Sequence, residues 1–133
     1  NSLENEVELT GRVAFDKVDR LYNKIDIFVY PRLPVEVCEL VSPLKPFEAM
    51  FKKKAIVASD VAAQREFIEE GYNGLLHRKG DVASIVEKLE QLINSPELRS
   101  TLGDNAYNWV INNRKWPEMA KRIESIYREI RDN

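Results

Sequence analysis

The sequence predicts an α/β protein built on a doubly wound parallel sheet. The runs at residues 25–30 and 55–58 are apolar and rich in β-branched residues, as strands buried on both faces are. Between and after them, apolar residues recur with helical spacing, and the connections are short. Strand, helix and strand joined in this way form a right-handed parallel crossover, so helices are expected on both faces of the sheet.

The first part of the chain supplies the opening elements of this pattern. Residues 7–10 form a short β-prone run that ends at Gly11, and residues 16–24 place Val18, Leu21 and Tyr22 on one helical face. After the strand at 25–30, Ser42 is a suitable N-cap for the next helix, with Pro43 at its first position and Pro46 still within its first turn.

The second part continues the alternation and ends in helices. The strand at 55–58 is followed by a predicted helix at 62–70, which Gly71 ends, and then by a third strand at 75–77. Asp81 and Ser95 are the predicted N-caps of two further helices, and a last helix covers 117–131. We therefore expect a sheet region at about 1–94 and a helical C-terminal tail at 95–133.

Composition limits the class of protein. A chain of 133 residues with a net charge of −2 is one domain or part of one, and it lacks the basic surface of a general nucleic-acid binder. The single cysteine, Cys38, excludes an intramolecular disulfide and fits a cytoplasmic location. No apolar run approaches 18 residues, and residue 1 is Asn rather than Met, so we expect an excised piece of a longer protein.

The candidate site lies at residues 36–50, between the strand at 25–30 and the following helix. A helix that starts at the carboxyl edge of a parallel sheet presents free amides and a positive dipole end to anions. The amides near Leu44 and Lys45 are candidates for this role, and the Lys45 ammonium would add a positive charge. Ser42 as a plain N-cap and Lys45 as a surface lysine are the alternatives that remain open.

Several motifs in order resemble the C-terminal, donor-binding domain of retaining GT-B glycosyltransferases of group 1, in the variant found in capsule and exopolysaccharide enzymes. The resemblance covers residues 10–127. It rests on the following segments: Thr10-Gly11-Arg12-Val13, residues 26–31, Ser42-Pro43-Leu44-Lys45-Pro46, Phe47-Glu48-Ala49-Met50, residues 55–60, Glu66-Phe67-Ile68, Asn73-Gly74-Leu75-Leu76, and residues 102–106. It implies the Rossmann-like half of a GT-B fold, truncated at its N-terminal strands.

The resemblance also implies roles for individual residues. Two glutamates eight positions apart flank the donor in that family, the first facing the transferred sugar and the second binding the ribose. Glu48 occupies the second position, whereas the position eight before it is Leu40 and the nearest glutamate is Glu39. We assign Glu39 as catalytic, and donor binding to Glu48 and to three residues before it, Lys45, Leu44 and Ser42.

The implied activity is transfer of a hexosyl group from a nucleotide-sugar donor with retention of anomeric configuration. The donor is a substrate, and neither a cofactor nor a metal is required. The acceptor, whether a saccharide, a lipid-linked molecule or a protein, would be bound by a missing N-terminal domain. The isolated chain is therefore expected to be inactive, and the full-length protein to be able to associate peripherally with membranes.

The family's sheet order, 3-2-1-4-5-6, creates a structural question. It would separate the run at 7–10 from the strand at 25–30 by two absent strands, so the run is displaced, pairs elsewhere, or allows two copies to associate through an open edge. The alternative function is a non-catalytic nucleotide- or phosphate-binding regulatory α/β module, although Asp60 lacks the acidic cluster of a receiver domain. A pure interaction domain is a third interpretation.

Overall fold

The computed structural model describes residues 5–132, which form helices and parallel strands in alternation followed by three longer helices. The elements are α1 (Phe15–Lys24), β1 (Ile27–Tyr30), α2 (Glu36–Leu40), α3 (Lys45–Phe51), β2 (Ala55–Ser59), α4 (Ala62–Arg65), β3 (Leu75–His77), α5 (Val82–Asn94), α6 (Pro96–Asn113) and α7 (Trp116–Arg131).

One sheet with the order β1-β2-β3 organises the described part of the chain. β1 pairs in parallel with β2, with Phe28 opposite Ile56, and β2 pairs in parallel with β3, with Val57 opposite Leu75. All five residues of the central strand β2 are buried. The predicted parallel α/β architecture is therefore confirmed.

Helices cover both faces of this sheet, as the doubly wound pattern predicts. Ile56 and Ala58 of β2 face a cluster that contains Met50 of α3 and Ala106 of α6. Ala55 and Val57, which alternate with them, face a second cluster. That cluster receives Leu75 of β3, Leu92 of α5 and Leu102 of α6.

Two strand predictions need correction. β1 was expected to be buried on both faces, but its residues are only partly buried and Val29 is 37% exposed, because β2 is its only paired neighbour in the described chain. Residues 7–10 form no strand and are exposed. A β-prone run needs a partner strand to satisfy its amides and carbonyls, and none in the described chain lies beside this one.

The helix predicted to begin at Pro43 begins at Lys45, so Ser42 is not its N-cap. Leu44 occupies that position, without a capping side chain. Pro46 explains the later start. If the helix began at Pro43, Pro46 would be its fourth residue, where the ring would clash with the carbonyl of Ser42. The short helix α2 before this connection was not predicted.

The helix predicted at 62–70 ends at Arg65, although Phe67 and Ile68 are buried as expected. The buried Asn73 side chain accepts a hydrogen bond from the Glu69 amide at 2.8 Å and donates one to the Phe67 carbonyl at 2.9 Å. These bonds give the backbone an alternative to the helical hydrogen bonds, so the segment forms a loop.

The C-terminal helices agree with prediction. The Asp81 side chain accepts from the amide of Ser84 to cap α5, and the Ser95 hydroxyl accepts from the amide of Leu98 to cap α6. α6 packs on the sheet, whereas Ile123, Ile126 and Ile130 of α7 are exposed. No helix in residues 5–132 is both long and apolar enough to cross a membrane.

Candidate active site

The carboxyl ends of the three parallel strands meet at one edge of the sheet, where ligands bind in open α/β proteins. Ser59, at the end of β2, links the segment that follows β1 to the last residue of β3. Its hydroxyl accepts from the Arg32 amide at 2.5 Å and lies 3.2 Å from Nε2 of His77. Ser59 and His77 are both fully buried. They therefore form a structural link beneath the edge.

Glu39 of α2 lies across this edge and uses both of its carboxylate oxygens. Oε2 accepts from the Ala62 amide at 2.7 Å, and Oε1 forms an ion pair with Lys79, which follows β3. Val61, the N-cap residue of α4, has no side chain that can accept a hydrogen bond. The Glu39 carboxylate of α2 therefore caps the start of α4 instead. Lys79 foremost, and then the Ala62 amide, hold the pKa of the Glu39 carboxyl below its usual range.

Asp60 lies beside this arrangement, one residue beyond β2. Arg65 binds its two oxygens with two nitrogens, and the bond from Nη2 to Oδ2 measures 2.6 Å. The Arg65 guanidinium lowers the pKa of the Asp60 carboxyl. The carboxyl edge thus carries two ion pairs, each between a helix residue and a residue that follows a strand: Glu39 of α2 with Lys79, and Arg65 of α4 with Asp60.

Glu48 is in a different environment on α3. Its Oε2 accepts from the hydroxyl of Tyr22 on α1 at 2.8 Å. No cation within residues 5–132 forms an ion pair with Glu48, and Oε1 has no hydrogen-bond partner in this part of the chain. Burial, followed by the bond to Glu48, raises the pKa of the Tyr22 phenol, so Tyr22 stays protonated and acts as the donor.

A cavity of about 880 Å³ lies against Tyr22 and Glu48. Its other walls come from α1, the length of α3, the end of α6 and the start of α7, including the apolar side chains of Phe15, Phe47 and Trp116. A largely apolar cavity of this size with a few polar groups is typical of small-molecule sites. Glu48 is therefore placed where it can contact a ligand.

The other predicted site residues lie around the start of α3. Ser42 and Leu44 are exposed in the connection between α2 and α3, and Lys45 is the first residue of α3. The Lys45 carbonyl lies 3.5 Å from the Tyr22 hydroxyl, which brings Lys45 close to Glu48. Glu39 makes its hydrogen bonds at the strand edge instead, to Ala62 and Lys79.

Sequence reasoning missed two partners of the site. Tyr22 was assigned only to an inward helix face, because periodicity cannot show a contact between residues 26 positions apart. The sequence could have indicated Lys79 as a site residue, because it follows β3 and the carboxyl ends of parallel strands share one edge.

Within residues 5–132 no cluster of three His, Cys, Asp or Glu side chains could hold a metal ion.

Comparison with known proteins identifies the family. Residues 1–95 match the family described as glycosyl transferases group 1. An uncharacterized glycosyltransferase of Methanocaldococcus jannaschii is 32% identical over 128 residues, which are 96% of this chain and 35% of that protein. The capsular polysaccharide biosynthesis glycosyltransferase CapM of Staphylococcus aureus is 31% identical over 106 residues, covering 80% of this chain and 27% of CapM.

Solved structures show the same fold. HepE of Anabaena, in complex with UDP and glucose, superposes with a TM-score of 0.84 at 20% identity, covering 96% of this chain and 33% of HepE. The C-terminal domain of a group 1 glycosyl transferase from Francisella tularensis superposes with a TM-score of 0.66 at 25% identity, covering 81% of this chain and 53% of that one. The chain spans about a third of the length of the curated relatives it matches. By family match and by fold, the chain belongs to the glycosyl transferases group 1 family of GT-B glycosyltransferases.

Proposed function

We propose that this chain is part of the donor-binding domain of a nucleotide-sugar-dependent hexosyltransferase, with Glu48 as the ribose-binding residue. The observation that carries the proposal is the position of the Glu48 carboxylate. It lies on the wall of the cavity with Oε2 held by Tyr22 and with Oε1 free of partners in the described chain. A carboxylate accepts from two adjacent hydroxyls at once, and a ribose offers such a pair.

The size and lining of the cavity support a nucleoside as its occupant. About 880 Å³ accommodates a base and a ribose, and Phe15, Phe47 and Trp116 offer apolar surface to a base. HepE, whose fold the chain shares, has been solved with UDP-glucose and with UDP. We therefore expect a nucleotide-sugar donor.

The diphosphate is assigned to the start of α3. The amides of Leu44 and Lys45 precede the first helical hydrogen bond, which the Phe47 amide makes to the Leu44 carbonyl, so both are available to an anion. The Lys45 ammonium and the Ser42 hydroxyl lie in the same stretch. These donors would stabilise the negative charge that develops on the leaving diphosphate.

Glu39 is proposed to face the transferred sugar. Its ion pair with Lys79 lowers the pKa of the carboxyl further from neutrality, and Glu39 is therefore ionised at pH 7. An ionised carboxylate stabilises the positive charge of an oxocarbenium-like transition state, and the configuration at the anomeric carbon is retained in this proposal. No metal or cofactor takes part.

The remaining steps are assigned to sequence outside this chain. An N-terminal domain would bind the acceptor, which is a saccharide, a lipid-linked molecule or a protein, and the full-length protein would act in the cytoplasm or at a membrane surface. Sugar transfer by the isolated 133-residue chain would contradict this assignment.

Calorimetry tests the donor site. The full-length gene product is titrated with UDP-, GDP- and ADP-sugars, and Glu48→Gln is compared with Glu90→Gln, an exposed change on α5. We expect Glu48→Gln to weaken donor binding about tenfold or more, since it replaces hydrogen bonds to a charged acceptor, and Glu90→Gln to leave it unchanged. Nucleotide binding without sugar transfer would favour the regulatory module, and no binding would favour an interaction domain.

A further inference from the structure

Tyr22 combines a ring held in the core with a hydroxyl at the candidate site. Its side chain is only 9% exposed, and the ring lies 6.0 Å from the ring of Phe28 on β1. The hydroxyl reaches α3 and donates to Oε2 of Glu48 at 2.8 Å. A hydroxyl on a buried ring of one helix therefore contacts the carboxylate of an exposed glutamate on another.

This contact limits the freedom of Glu48. A glutamate side chain on an exposed helix surface samples several rotamers, and a ligand that has to order it binds at a cost in conformational entropy. A tyrosine hydroxyl with a buried ring can define one of those rotamers before the ligand arrives. The second oxygen, Oε1, then has a defined position at the cavity wall.

We propose that Tyr22 is a positioning residue that orients Glu48 for the ribose hydroxyls and so sets the preference of the site for ribonucleotides over 2′-deoxyribonucleotides. The proposal rests on the proposed function, because it takes Glu48 as the ribose-binding residue. Tyr22 itself contacts no substrate in this arrangement; it acts through the carboxylate that it holds.

A purely structural role makes a different prediction. If the bond between Tyr22 and Glu48 served only to attach α1 to α3, its loss would lower stability and weaken all nucleotides alike. A positioning role instead weakens a ligand that offers both ribose hydroxyls more than one that lacks the 2′-hydroxyl. The ratio of the two affinities therefore distinguishes the roles, whereas an affinity alone does not.

The test measures the dissociation constants of UDP and 2′-deoxy-UDP for the full-length gene product, or of the matched guanosine or adenosine pair where these bind more tightly. In the wild type we expect the ribonucleotide to bind about tenfold more tightly. Glu48→Gln should abolish this ratio. Tyr22→Phe, which keeps the buried ring, should lower ribonucleotide affinity about three- to tenfold and weaken 2′-deoxy-UDP less, so that the ratio falls. Tyr127→Phe, an exposed change on α7, is the control.

The outcomes separate this inference from the proposed function. If Glu48→Gln abolishes the ratio and Tyr22→Phe preserves it, the positioning role is wrong and the ribose role of Glu48 stands. If the wild type does not discriminate, or if Glu48→Gln leaves the ratio unchanged, the proposed function itself fails. Should Tyr22→Phe unfold, Tyr22→Met fills the buried space without a hydroxyl, and an unchanged ratio in that variant overturns the inference.

Discussion

Glu39 and Glu48 differ in what remains of their hydrogen-bonding capacity. Glu39 has one oxygen on Lys79 and the other on the Ala62 amide, so it is ionised and held in place. Glu48 has one oxygen on a neutral hydroxyl and the other free of partners in the described chain. The first arrangement suits a charge that is positioned in advance, and the second suits an acceptor that awaits a ligand.

The ion pair of Glu39 makes stability depend on pH. Because the folded-state pKa of Glu39 lies below its ordinary value of 4.5, the pair stabilises the fold fully above that value, and the contribution is lost as the pH falls through the lowered pKa. Glu39→Gln removes the charge but keeps an oxygen for the Ala62 amide. We therefore expect the variant to melt at a lower temperature than the wild type at pH 7 and to differ less from it as the pH falls below 4.

Thermal unfolding between pH 3 and 7 measures this difference. Glu36→Gln is the matched control, because Glu36 is also on α2 but is exposed. It should reproduce the wild-type profile. A constant difference between Glu39→Gln and the wild type across the whole range would show that the Lys79 pair does not contribute.

At the scale of elements, α6 approaches the turn between α3 and β2 unusually closely. A Cβ atom added to Gly103 of α6 would lie 2.3 Å from the carbonyl oxygen of Lys53. Lys53 itself has a φ of +56°, and its ammonium lies 2.9 Å from the Asp104 carboxylate and 5.2 Å from the centroid of the Tyr107 ring. The turn is thus held against the helix by the contacts of Lys53 with Asp104 and Tyr107, which follow Gly103 on α6.

Gly103→Ala tests how closely α6 approaches the turn, because the contact determines whether the substitution raises or lowers the free energy of unfolding. Helix propensity alone would stabilise the variant by about 1 kcal/mol, whereas overpacking costs about 1–3 kcal/mol and more where backbone blocks relief. Since the atom met is a backbone carbonyl, we expect a net loss of about 1–3 kcal/mol in denaturant unfolding. Ser100→Ala, exposed on the same helix, should be neutral or slightly stabilising, and a stabilised Gly103→Ala would contradict the contact.

The helices and strands also show which features the sequence can predict and which it cannot. β2 and the caps at Asp81 and Ser95 were predicted because each depends on local composition and spacing. The start of α3 depended on where Pro46 falls within the helix, and the end of α4 on a side chain, Asn73, from beyond the segment. Contacts between distant segments, such as Tyr22 to Glu48, leave no periodic signal.

At the scale of the whole molecule, the described chain leaves apolar and backbone surfaces open. The outer edge of β1 has no partner strand within residues 5–132, and Ile123, Ile126 and Ile130 of α7 are exposed along one stripe. An open strand edge is a template for another chain, and an exposed apolar stripe indicates an interface. The association of two copies through the sheet edge therefore stays a prediction.

Val29→Lys tests association through the β1 edge. The Val29 side chain is 37% exposed, so a lysine can reach water without unfolding the sheet, and a charge on an edge strand disfavours pairing with a second copy. We expect the 133-residue chain to show a mass that rises with concentration in sedimentation equilibrium, and Val29→Lys to lower that rise. Ile93→Lys, which also places a lysine at an exposed isoleucine but on α5, should leave it unchanged. Pairing through β1 is contradicted if the wild-type chain stays monomeric. It is also contradicted if Val29→Lys and Ile93→Lys have equal effects, because only a specific edge contact depends on which exposed position carries the charge.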